Sequence, residues 1–292
     1  MSIAKQDSGP AAHLPQKGKE AIQDAAASPL METMLRVGYV VRGLIYGVIG
    51  LLAVRVALGD GGQITDPQGA IAALGQSPLG AALLWFILIG LVGYGLWGFI
   101  RAITDPLHKG KDAKGIATRL GYAASGVTYF LLALATYGLI SASASAAQNG
   151  AQTAQTQETT ARLLSQPWGA VVVGLAGLVV IGVGAMQIMK GLKGDFDQQF
   201  NAYAISPQQH RIITQLGRFG TAARGLVFAL IGVFLLLTAI NNDPSQAKGI
   251  DGVLASLLQQ PYGPALLLVV ALGLMAFGAY SAMSGFWLRF KR

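Results

Sequence analysis

Three near-identical stretches hold the residues of this chain best suited to chemistry. They are RVGYVVRG from Arg36, RLGYAASG from Arg119 and RFGTAARG from Arg218. Each sets an arginine two residues before a glycine, with a second glycine five residues further on. A planar guanidinium matches the oxygens of a phosphate or carboxylate. Arg36, Arg119 and Arg218, with Arg42 and Arg224 inside the first and third boxes, are therefore the candidate anion- or lipid-binding residues. On a helix Arg42 and Arg224 lie about 9 Å deeper than the arginines that open their boxes, at 1.5 Å per residue. The middle box has Ser125 at that place, so five arginines are available rather than six. The plainer reading is that these side chains anchor helix ends at headgroup level and set topology.

Other chemistry finds few residues. The chain has no cysteine and three histidines, which excludes disulfides and thiolate metal sites. His13 lies in the N-terminal tail, and His108 and His210 lie in predicted loops, none with metal-ligand spacing. A pairing of His108 and His210 with Asp105 or Asp195 is the only constellation available, and ordinary loop positions explain those residues better. No serine or lysine has a nucleophile's setting. The expectation is a protein that is not an enzyme, with no cofactor and no metal.

The elements that must position the arginines are membrane helices. Of 292 residues, 53% are hydrophobic and 12% charged, about half the charge of a soluble domain. Six runs reach the roughly 20 residues needed to cross a bilayer: 37–58, 79–100, 120–140, 168–189, 219–240 and 262–288. The net charge of +8 gathers beside these runs rather than on one face, so nucleic acid is not the expected partner. Lys and Arg cluster in the connections after the second and fourth spans and in the closing RFKR. The positive-inside rule then places both termini in the cytoplasm. Residues 1–35 read as a cytoplasmic tail lacking the apolar core of a signal peptide.

The spans fall into a repeat. The box arginines lie 83 and 99 residues apart, giving units 36–118, 119–217 and 218–292. Pro78, Pro167 and Pro261 precede the even spans and fit the first turn of a helix. Gly95, Gly184 and Gly278 follow them by 17 residues. With Gly38, Gly121, Gly220, Gly43, Gly126 and Gly225 they form the expected helix-packing set, because helices in lipid associate by close approach at small residues. The fold class is an all-α polytopic bundle: three two-helix repeats in one orientation, related by an axis along the membrane normal. The outer segment SASASAAQNGAQTAQTQETT reads as flexible. Arg55 is expected to reach outward, towards Asp60.

On its three boxes and tandem two-span units, from Arg36 onwards, the chain resembles the bacterial membrane family known as domain of unknown function 1206. The resemblance implies this fold and a bacterial inner membrane. It implies no substrate. Two functions stay open at this point: engagement of anionic membrane lipid or a protein partner through the arginines, or passive passage of a small anion along the bundle axis.

Overall fold

The computed structural model describes residues 29–104, 112–141, 151–194 and 206–287. His13, His108, Asp105, Asp195 and the RFKR terminus fall outside them. Six helices are long and apolar enough to cross a membrane: α1 (Pro29–Leu58), α3 (Gly80–Thr104), α4 (Ala113–Ser141), α6 (Gly169–Lys193), α7 (Pro207–Asn241) and α9 (Gly263–Trp287). Three shorter helices, α2 (Pro67–Gly75), α5 (Ala151–Leu164) and α8 (Ile250–Leu258), link the members of each pair at one end of the bundle. The chain is a multi-pass membrane protein of three repeated units.

Two expectations are corrected at the ends of these elements. Helix α1 starts at Pro29, inside the expected tail, because Leu35 is buried, Met34 backs onto Gly93 and Glu32 pairs with Arg36 at 2.7 Å. Of the segment read as flexible, residues 142–150 lie outside the described residues and 151–160 belong to α5. Its low-complexity Thr and Gln residues show no apolar face, but they are occupied: Thr153 accepts the amides of Gly249 and Gly252, and Gln152 accepts that of Ile250. A helix held by polar side chains leaves no hydrophobic period to read.

The prolines are corrected too. Pro78, Pro167 and Pro261 sit in the turn before α3, α6 and α9, and each helix begins two residues later at Gly80, Gly169 or Gly263. There the glycine is the demanding residue. A Cβ would lie 1.8 Å from the Gly75 carbonyl oxygen, 1.8 Å from that of Leu163 and 1.9 Å from that of Leu258. The chain reverses so tightly that the short helix ends against the start of the span.

The closest seams in the bundle run between successive units: α3 with α4, α6 with α7, and α9 with α1. The last of these joins the third unit to the first, so the order is cyclic. The glycines show why. A Cβ on Gly43 would meet Gly278, one on Gly126 would meet Gly95, and one on Gly225 would meet Gly184, each at 2.6–3.0 Å from a carbonyl oxygen. The second box glycine thus faces the even-span glycine of the preceding unit, three times over. Seams within units are less regular. Helix α1 packs on α3 and α7 on α9, whereas α4 and α6 share no comparable seam. The ring is open at that place. Gly38 abuts Tyr94 and Gly220 abuts Phe277, while a Cβ on Gly121 would meet nothing within 4 Å. Gly121 is therefore the one member of the expected packing set that packs against no other helix.

Candidate functional site

The structure separates the candidate arginines into two groups. The box-opening arginines reach the last carbonyls of a neighbouring span. Arg36 donates to Gly285 and Phe286 on α9, Arg119 to Ala102 and Ile103 on α3, and Arg218 to Leu192 on α6. These acceptors lie seven or eight residues after Gly278, Gly95 and Gly184, the same register in each unit. A cation at a helix C-terminus satisfies carbonyls that lack an intrahelical partner and complements the dipole, by about 0.3–1 kcal/mol at exposed sites. Arg36, Arg119 and Arg218 are clamps between units.

The deeper arginines converge instead. Arg42 on α1 donates to the Tyr94 hydroxyl at 2.7 Å and to Ser281 Oγ at 2.8 Å, with Tyr39, Tyr94 and Phe277 rings about its guanidinium. Arg224 on α7 donates to the Tyr46 hydroxyl at 2.9 Å and to Gln187 Oε1 at 2.6 Å. Both lie over the ring of Phe277, 5.1 and 5.0 Å from its centroid. A third cation joins them. Arg101 on α3 lies over Tyr94, Trp97 and, at 4.5 Å, Tyr122 of α4. Tyr129 of α4 closes on Tyr94, ring centroids 4.6 Å apart. All six spans contribute to this cluster, and Tyr46, Tyr94, Phe277, Tyr280 and Ser281 within it are buried.

Magnitudes show what the cluster lacks. A charged side chain at the centre of a membrane helix costs about 2.5–3.5 kcal/mol. Arg42 and Arg224 each offset that with two hydrogen bonds, about 0.5–1.5 kcal/mol apiece, and with cation–π contacts of about 0.5–2 kcal/mol. Arg101 has the rings, but its Nε is buried with no hydrogen-bond partner. The two guanidiniums over Phe277 are within about 10 Å of each other, a repulsion of roughly 1–2 kcal/mol at an effective dielectric of 20. No described span places a carboxylate among them. Glu32, in the first turn of α1, is engaged by Arg36. The cluster carries positive charge with no counter-charge from the described spans.

Arg101 lies outside the boxes and reads in the sequence as an ordinary topology signal. Its signal was helical spacing: Tyr94, Trp97 and Arg101 stand three and four residues apart, on one face of α3. The repeat also accounts for Ser125. Arg42 and Arg224 bond side chains three residues after an even-span glycine, Ser281 and Gln187. The corresponding residue on α3 is Gly98, where a Cβ would come within 2.9 Å of Gly126 and of the Tyr122 carbonyl. That seam has no room for a partner side chain, and the middle box has no arginine to need one.

Elsewhere among the described residues, polar side chains bond within the fold. Thr128 and Thr136 donate to carbonyls one turn back. His210 lies in the first turn of α7, and no group of His, Asp and Glu among the described residues could hold a metal. Arg55 is exposed and forms no ion pair with Asp60. At the short-helix end, buried Asp66 caps α2 and accepts the Gln152 amide at 2.7 Å, while Asp251 accepts from Thr153 at 2.7 Å. Burial pushes the Asp251 carboxyl above its ordinary range, with the Asp66 charge adding to the rise and the Thr153 bond opposing it.

Comparison with known proteins matches the family model described as Domain of Unknown Function (DUF1206) at residues 37–105, 120–194 and 219–287. An uncharacterized protein, YxxB, of Bacillus subtilis (strain 168) is 35% identical over 259 residues, covering 89% of this chain and 92% of that protein. No solved structure matches.

Proposed function

The chain belongs to the DUF1206 family, and for this member we propose a non-enzymatic role: holding an anionic, phosphate-type group at the cluster of Arg42, Arg101 and Arg224. The observation that carries this reading is three guanidiniums drawn together from three spans without a carboxylate, one with a buried, unpartnered Nε. Guanidinium forks suit phosphate oxygens, and basic pockets between helices hold anionic headgroups. The distribution of Lys and Arg supports an orientation with both termini inside and the cluster in the cytoplasmic half, and the Bacillus relative supports a bacterial inner membrane.

The rest of the axis favours holding over conducting. Beyond the cluster, Ile45, Ile49, Ala53, Ile71, Val253 and Leu254 form one buried apolar core towards the short-helix end. A dry core of this kind gives an anion no polar route.

Native mass spectrometry of the protein extracted from its own membrane tests the reading. The wild type carries a discrete phosphate-bearing molecule. A folded Arg42→Gln, Arg101→Gln, Arg224→Gln variant loses it, whereas Arg36→Gln, Arg119→Gln, Arg218→Gln retains it. Equal occupancy in all three proteins, or none in the wild type, overturns the assignment.

A further inference from the structure

The seam missing between α4 and α6 is a local feature with a sequence cause. In the first and third units the odd span is admitted by a glycine on the even span: Gly90 against Val41, and Gly273 against Ala223. In the second unit that position is Val179. A valine cannot admit the odd span as closely, and positions buried in the other units, Gly90 and Gly273 or Gly38 and Gly220, are exposed here. Val179 is 66% exposed, and Gly121 and Gly182 have nothing within 4 Å of an added Cβ. The short-helix end of this opening is held across by α5, whose Gln152 and Thr153 are bonded to Asp66 and to α8.

The two walls of the opening are the two edges of the arginine cluster. Helix α4 supplies Tyr122 under Arg101 and Tyr129 against Tyr94, and α6 supplies Gln187 to Arg224. The cleft therefore runs from the lipid-facing surface directly to the guanidiniums. Its walls are uncharged: Leu120, Gly121 and Ala124 on α4, Val179, Gly182 and Val183 on α6. An occupant must be apolar along the cleft and anionic at its inner end. A second copy of this chain does not fit, since its described spans offer no free carboxylate to the arginines. Free phosphate satisfies the arginines and leaves the apolar walls unmatched.

Resting on the anion-binding reading above, we propose that the α4–α6 cleft is the lateral entry for a phospholipid, with its phosphate among Arg42, Arg101 and Arg224 and its acyl chains between α4 and α6.

The test separates this proposal from the reading beneath it. Binding of dioleoyl phosphatidylglycerol in mixed micelles is measured by native mass spectrometry, and binding of soluble glycerol 3-phosphate by tryptophan fluorescence, Trp97 standing over Arg101. Filling the cleft with Gly121→Leu and Gly182→Leu is expected to lower phospholipid retention by at least about tenfold and leave glycerol 3-phosphate binding unchanged. Should the filled protein not fold, Ala124→Cys and Val179→Cys, in a chain with no other cysteine, can be joined by a bismaleimide after purification. Phospholipid exchange should then slow by a similar factor relative to the unlinked protein. Undiminished lipid retention and exchange overturns lateral entry and leaves the anion site standing. Failure of the wild type to bind either probe overturns the anion reading itself. A wild-type dimer made monomeric by the filled cleft, with lipid unaffected, makes the cleft a self-interface and overturns the proposal.

Discussion

The second repeat differs from the first and third in three linked ways. Its odd span has Ser125 in place of an arginine, its even span has Val179 in place of a glycine, and α4 and α6 do not close on each other. Burial follows: half of the most apolar window of α9 is buried and 44% of that of α1, against 17% for α4 and 22% for α6. Close approach in the other two units is used to bring arginines and tyrosines inward. Divergence in the second unit leaves a way in to them. Triplication supplies the clamps and seams, and departure from it supplies the cleft proposed above.

The largest effect should come from the seams between units. Gly43→Leu or Gly225→Leu drives a side chain into a backbone carbonyl less than 3 Å from the new Cβ and should cost about 1–3 kcal/mol or prevent folding. Gly121→Leu, in open space, should stay within about 0.5 kcal/mol of wild type. Thermal unfolding in detergent measures both, and equal costs would erase the difference between the units. Next comes the cluster. Arg42→Gln should weaken retention of the phosphate-bearing ligand about 10- to 100-fold, the value of a charged hydrogen bond, while Arg119→Gln leaves it unchanged in a binding titration.

Much of this was legible in the sequence. The spans, the threefold recurrence of Gly43, Gly126 and Gly225, and the shared register of the box arginines all follow from residue types repeated at fixed offsets. Three features were not. The role of Arg36, Arg119 and Arg218 depends on which helix end lies opposite, and spacing along one helix does not give its neighbour. Arg101 stands outside the boxes, so only its face with Tyr94 and Trp97 marks it. The α5 helix is built from Thr and Gln whose partners, Asp66 and the start of α8, lie about 90 residues away in either direction.

Smaller effects sharpen the contrast between clamps and cluster. Arg119→Ala removes two hydrogen bonds to the end of α3 and should lower stability by about 1 kcal/mol, whereas Arg55→Ala should leave the unfolding temperature unchanged. The smallest is a pH effect at the short-helix end. The Asp251 pKa is raised on folding from an ordinary 3.8, so the folded state binds the proton more tightly. Stability from that group is present at low pH and is lost as pH rises from about the ordinary value through the raised one. Asp251→Asn should flatten the unfolding-temperature profile across that interval. An unchanged profile would mean that Asp251 is as easily ionised folded as unfolded.

The central claim is that Arg42, Arg101 and Arg224 converge to hold an anion. An experimental structure of the wild-type protein in nanodiscs containing dioleoyl phosphatidylglycerol tests it most directly. Density for a phosphate is expected within hydrogen-bond distance of Arg101 Nε and of at least one other of the three guanidiniums. Guanidiniums turned apart towards the bilayer surface, with no anion between them, would contradict it.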